Sequence, residues 1–545
     1  MTRFNWHNPY PTPRLPVFAR NIVSTSHPLA AQAGLRMLWK GGNAVDAAIA
    51  AAAAITVVEP VSCGLGGDAF ALVWDGSQLH GLNASGTAPA GWSVDYFRRK
   101  HGEEQGLAKQ PKRGWDTVTV PGVIAGWEAL HAKFGSLPFA DLMAPAIEIA
   151  ERGYAVASIV ARKWQAAIPE LRDQPGFAET FMPRGRAPEV GEHVRLPDHA
   201  STLRRLAEQG PRAYYEGELA ERIAAFAREG GAALTLDDLR NYRAQWVEPI
   251  SKTYRGYKVH EIPPNGQGIA ALIALGILEQ FDVASLPRDG IESQHLQIEA
   301  MKLAFADVYR YVSDPRSMDV TPEQMLDDAY LKSRAKLIDP ARATHFDFGM
   351  PRSGGTIYLS AADERGMMVS FIQSNYMGFG SGVVVSGTGI AMQNRGCGFS
   401  MDPVSPNVVE GGKRPFHTII PAFLTQEVAG RDEAVMSFGV MGGDMQPQGH
   451  LQTVVRMLDY GQQPQAACDA PRWKVNRDFT LDIESTFDPH TAQALEARGH
   501  RIQGIDDPYM DFGSGQFIWK LDRENPDHGY VAASDTRRDG LAAGF

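Results

Sequence analysis

The sequence predicts a mixed α/β (α+β) chain in which sheets are packed between helical layers. Three observations carry this. The first half reads as helices separated by turn residues, the run Ala47 to Val58 is apolar around its whole circumference, and β-rich runs begin at Thr356. A helix with no polar face belongs inside a protein.

The elements follow in order. His27-Pro28 opens a helix that runs to Lys40 and ends at Gly41-Gly42, where glycine commonly follows a helix. Asn43 can cap the alanine-rich helix, and Glu59-Pro60 stops it because the residue before proline avoids the helical region. Ala69 to Trp74 is short and apolar enough for a strand. Pro121-Gly122 introduces a helix through Phe134, and Pro138 to Arg152 has helical spacing. Tyr214 to Tyr242 reads as one charged, peripheral helical segment, followed by helices over Gly268 to Phe281 and Ser293 to Tyr311. Ala341 to Gly354 is irregular. Thr356 to Ala362 and Met367 to Ser374 form a hairpin around Asp363-Glu364-Arg365-Gly366. Further strands are expected over Phe416 to Leu424 and Ala434 to Phe438, then a helix over Gly449 to Tyr460.

The 545 residues, 44% apolar and 21% charged, have ordinary globular composition with enough length for a large core. The net charge of −10 argues against nucleic acid or an anionic membrane surface as partner. Ala47 to Val58 falls short of the roughly 20 residues a membrane span needs, and residues 1–23 contain no apolar stretch of signal-peptide length; a cytoplasmic protein is expected. Cys63, Cys397 and Cys468 are too few and too scattered for a disulfide framework or a CxxC metal site, so we expect no metal and no cofactor.

The chemistry centres on Gly354-Gly355-Thr356. A hydroxyl is a weak nucleophile at neutral pH and needs a base. If the bond before Thr356 is cut, its own α-amine, with a pKa near 7.7–8.0, becomes that base. Glycines tolerate the backbone distortion of an N-to-O acyl shift. Taken alone, the same tripeptide also reads as a turn before a β-branched strand residue.

The surrounding motifs resemble the γ-glutamyltransferase (γ-glutamyltranspeptidase, or glutathione hydrolase) family of N-terminal-nucleophile hydrolases. They are GGNAVDAA (Gly41 to Ala48), EPVSCGLGGDAFALVWDG (Glu59 to Gly76), PGVIAGW (Pro121 to Trp127), EAMKLAFADVYRYVSDP (Glu299 to Pro315), GFGSG (Gly378 to Gly382), RPFHTIIP (Arg414 to Pro421) and MGGDMQPQGHLQ (Met441 to Gln452). The resemblance spans nearly the whole chain. It implies a four-layer αββα sandwich and autocatalytic cleavage into a large chain, residues 1–355, and a small catalytic chain, residues 356–545. It further implies a small-molecule amide substrate, with the oligomeric state of the heterodimer left open.

Carried over residue by residue, the resemblance makes Thr356 the nucleophile and Ser374 its supporting hydroxyl. His417 and Thr418 fall on a pair that binds the substrate carboxylate. Gly442 and Gly443 fall on the glycines whose N–H groups form the oxyanion hole, a role compatible with a tight turn before a helix. Three recognition positions depart from the family. Asn83 to Pro89 lacks the arginine that clamps the α-carboxylate. Gly398 stands near the aspartate that receives the α-amine. Tyr376 stands at an asparagine, with Asn375 adjacent. Arg395 offers a carboxylate anchor in the same loop; a structural ion pair is the other reading. This pattern resembles the branch holding oxamate amidohydrolase and glutaryl (cephalosporin) acylases. The readings open at this stage are cleavage of γ-glutamyl amides such as glutathione, cleavage of a small carboxylate-bearing amide, and an uncleaved non-catalytic scaffold.

Overall fold

Two seven-stranded antiparallel sheets lie face to face in the computed structural model, which describes residues 13–344, 355–505, 512–522 and 525–545. One sheet has the order β14 (Leu541–Gly544), β2 (Ile22–Thr25), β8 (Gly355–Ala362), β9 (Met368–Tyr376), β3 (Asp68–Trp74), β4 (Leu79–Ala84), β5 (Gln245–Val247). The other runs β1 (Val17–Ala19), β13 (Tyr530–Ser534), β12 (Ser514–Lys520), β11 (Arg431–Met441), β10 (Ala422–Val428), β7 (Tyr257–Glu261), β6 (Ile250–Tyr254). Both sheets combine strands from before and after Gly355.

Helices α1 (Pro28–Trp39), α2 (Ala44–Val58) and α3 (Val123–Phe134) cover the outer face of the first sheet, with α2 lying on β8 and β9 and α4 (Phe139–Arg152) packed on α2. Helix α5 (Ile269–Leu278), with α6 (Ile291–Tyr311) packed on it, and α7 (Met445–Leu458) cover the second. This is the four-layer αββα sandwich that the resemblance implies. All fifteen residues of α2 are buried, as its apolar circumference requires. A capping box fixes its start: the Asn43 side chain accepts from Asp46 N–H and Asp46 accepts from Asn43 N–H. Among the described residues, no helix is long and apolar enough to cross a membrane.

Between the sheets, polar side chains satisfy one another. The Tyr358 hydroxyl lies 2.7 Å from Ser370 Oγ and 2.9 Å from Ser360 Oγ, and Ser360 Oγ lies 2.9 Å from Ser437 Oγ. Buried hydroxyls cost little when each has a partner.

Three expectations are corrected. The segment 214–242 is two helices, Glu218–Glu229 and Leu236–Asn241, parted at Gly230-Gly231. The strand expected from Phe416 begins at Ala422; Pro421 has no N–H for a ladder, and the segment before it makes only a single bridge, from His417 to Gly266. Helix α7 starts at Met445 rather than Gly449, because Pro447 sits in the first turn, where a missing N–H costs nothing. The irregular stretch expected over 341–354 lies outside the described residues beyond Thr344.

Candidate active site

Thr356 is the second residue of β8, at a place where the ladder to β9 slips. Gly355 faces Tyr376 while Ile357 faces Gln373, so β9 carries one extra residue through Ser374-Asn375. Such a bulge re-aims side chains that a regular ladder would send to alternate faces. Thr356 Oγ1 donates to Ser374 Oγ at 3.3 Å, and Ser374 Oγ accepts the Tyr376 N–H at 2.7 Å. Tyr376 takes a left-handed backbone, φ 77°, where a bulky residue is rare. Thr356 and Ser374 are both buried.

The bulge turns the Tyr376 ring beneath Arg395, whose guanidinium carbon stands 4.3 Å from the ring centroid. Arg395 opens a short turn, Arg395–Gly398, and is fully buried. Its Nη1 donates to Thr418 Oγ1 at 3.0 Å and its Nε lies 3.6 Å from Asp68 Oδ2. Among the described residues, Nε and Nη2 make no hydrogen bond. Two buried guanidinium donors without partners form a ready fork for a carboxylate. Burial lowers the Arg395 pKa to about 10, against the pull of Asp68; it stays charged at neutral pH.

Asp68, at the start of β3, organises this arginine. Its Oδ1 accepts the Gly86 N–H at 3.0 Å, and its Oδ2 lies 3.0 Å from His417 Nε2. His417 Nδ1 accepts the Ile419 N–H at 3.3 Å, so Nε2 carries the proton and donates to Asp68. Burial and the charges of Arg395 and Arg414 hold His417 far below the ordinary histidine range. Burial pushes Asp68 up to about 7, opposed chiefly by Arg395. With both ring nitrogens engaged, His417 buttresses Asp68 and offers no group to a substrate. Thr418 alone of the expected pair faces Arg395.

The Asn375 carboxamide is buried without a hydrogen bond among the described residues and packs where side chains at Gly64 or Gly67 would stand. The structure does not join it to Arg395. Gly442 and Gly443 follow β11 with φ of 128° and 59°; their turn ends where α7 begins, and a helix N-terminus favours negative charge. The Asp444 carboxylate turns away from that helix to take Nε and Nη2 of Arg477 at 2.5 and 2.6 Å.

An unbroken line of contacts therefore runs Thr356–Ser374–Tyr376–Arg395–Thr418, and the Gln267 side chain continues it from Thr418 to Gly443. Sequence reasoning singled out neither Asp68 nor Gln267. Asp68 lay within a quoted motif, behind paired glycines at a strand start; Gln267 sits in PPNGQG (Pro263 to Gly268), whose turn-rich composition marks a loop but no chemistry. Among the described residues, His295, Glu299 and His500 bring metal-ligand atoms together. The Lys302 ammonium already bonds Glu299 Oε1 at 2.8 Å and His500 Nδ1 at 3.1 Å, a cation where a metal would have to enter.

Comparison with known proteins fits this geometry. A family model described as gamma-glutamyltranspeptidase matches residues 30–545. The chain is 37% identical to the glutathione hydrolase-like YwrD proenzyme of Bacillus subtilis over 96% of this chain and 98% of that protein. It is 36% identical to the oxamate amidohydrolase proenzyme of Klebsiella pneumoniae, over 97% and 99%. The crystal structure of a cephalosporin acylase from Bacillus halodurans superposes with a TM-score of 0.93 at 49% identity, covering 100% of this chain and 99% of that one.

Proposed function

The chain belongs to the gamma-glutamyltranspeptidase family, an enzyme family of amidohydrolases and acyltransferases, and on that premise we propose that it hydrolyses amides whose acyl part carries a carboxylate and no α-amino group. Cleavage after Gly355 gives chains of 355 and 190 residues. The Thr356 hydroxyl then attacks the amide carbon while its α-amine takes the hydroxyl proton. The tetrahedral oxyanion is met by the N–H groups of Gly442 and Gly443. Collapse returns the proton to the leaving amine and leaves an acyl ester on Thr356, which water hydrolyses with the α-amine again as base. Ser374 holds the Thr356 hydroxyl in line.

Arg395 carries the substrate reading: a buried arginine with two unpartnered donors next to Thr418. An α-ammonium finds no carboxylate at position 398, and a side chain built on Gly398 would stand 2.5 Å from the Phe416 carbonyl oxygen. A buried ammonium without a partner is costly. The second reading, γ-glutamyl amides such as glutathione, is favoured by the likeness to the glutathione hydrolase-like protein.

A panel of anilides separates the two. Glutaryl, succinyl and oxalyl anilides should be cleaved with higher kcat/KM than the γ-glutamyl anilide. A γ-glutamyl anilide turned over best would overturn the first reading and establish the second.

A further inference from the structure

We infer that Gln267 is a positioning residue that locks the acyl-binding arm to the oxyanion turn. This rests on the reading of Thr356 as nucleophile and of Gly442-Gly443 as oxyanion donors. Gln267 lies between β7 and α5, before Gly355 in the chain, while the groups it holds lie after Gly355. It is completely buried. Its Nε2 donates to the Thr418 carbonyl at 2.7 Å and to the Gly443 carbonyl at 2.8 Å. A primary amide nitrogen has two hydrogens, and each is spent on a different arm of the site. The Gln267 backbone N–H donates to the His417 carbonyl at 2.9 Å, and the His417 N–H donates to the Asn265 carbonyl at 2.9 Å.

The segment 265–267 thus runs beside 415–418 as a parallel bridge. It carries one side chain that reaches across to the glycine turn. The two arms have different tasks. Thr418 accepts from Arg395, which takes the acyl carboxylate. Gly443 belongs to the turn whose N–H groups meet the oxyanion. The distance between carboxylate anchor and oxyanion hole sets which acyl chain places its carbonyl on Thr356, and Gln267 fixes that distance. Hence it governs acyl-chain length as well as rate.

The Gln267 oxygen is buried without a partner among the described residues.

The test uses Gln267→Glu, which preserves size while leaving at most one donor, the O–H of a protonated carboxyl, and Gln267→Ala. Maturation is followed by intact mass, and kcat and KM are measured on oxalyl, succinyl, glutaryl and γ-glutamyl anilides. Both variants should mature into two chains. Their kcat should fall on the order of ten- to a hundredfold on every substrate, the γ-glutamyl anilide included. The ratio of kcat/KM between glutaryl and oxalyl anilides should shift at least about threefold, a change general destabilisation does not produce. A variant within twofold of wild type in kcat and in that ratio overturns the inference. Failure of both variants to mature overturns it too, assigning Gln267 to folding. If the wild type itself mistreats the carboxylate panel but turns over the γ-glutamyl anilide, the substrate reading fails, while the kcat effect still decides the role of Gln267.

Discussion

Arg395 illustrates how the site trades desolvation for specificity. A fully buried guanidinium is costly unless its charge is answered. Here Asp68 answers it at 3.6 Å, too far for a hydrogen bond, and two donors are left over. A charge-assisted pair of this kind contributes about 1.5–3 kcal/mol. Arg395→Gln should therefore raise KM for a glutaryl or succinyl anilide about tenfold to a hundredfold and leave maturation intact. An unchanged KM would remove Arg395 from the acyl pocket. Asp68 gives the site a pH signature. Its pKa, raised to about 7 by burial, is pushed further up by an anionic acyl group beside it, so binding takes up a proton. KM for such substrates should rise with pH through about 7. Meanwhile kcat should rise across the α-amine's range near 7.7–8.0. Asp68→Asn should flatten the KM profile; a profile that persists in that variant would trace the titration to another group. Thr356 and Ser374 were paired in the sequence only through the family resemblance; the hairpin of β8 and β9 brings their hydroxyls to 3.3 Å. His417 was expected to bind a carboxylate from its position in the family pattern, but the fold spends both ring nitrogens on Asp68 and Ile419.

At the scale of elements, strand and helix identities were mostly legible from period and turn chemistry. The bulge in β9 was not, since every residue of that strand is buried and a strand buried on both faces carries no in-out alternation for an extra residue to interrupt. Yet the bulge is what gives Tyr376 its left-handed backbone and brings its ring beneath Arg395. The early start of α7 was likewise not read, its first turn holding Pro447. Helix α2 is buried along its whole length, and its start depends on the Asn43–Asp46 box. Asn43 also donates to the Phe134 carbonyl at 2.6 Å. Asn43→Ala should lower stability by about 1–2 kcal/mol, read as a drop in denaturant midpoint at constant slope. No change in midpoint would mean the cap is replaced by water.

At the scale of the molecule, the sandwich is assembled from strands on both sides of Gly355. Strand β8, which begins at the proposed cut, is flanked by β2 from the first part of the chain and β9 from the second. Neither part can complete a sheet alone, so cleavage should release a new terminus without releasing a subunit. This interleaving was only partly legible: a break in character at Gly355 marks the junction, but sequence order does not reveal which strands become neighbours. The central claim is that the chain cuts itself before Thr356 and uses that residue as nucleophile. Intact mass under denaturing conditions, on wild type and Thr356→Ala, tests it most directly. The wild type should give 355- and 190-residue chains, the smaller one starting at Thr356, and the variant a single inactive 545-residue chain. An active but uncut wild type, or a Thr356→Ala protein cut at the same bond, would contradict it.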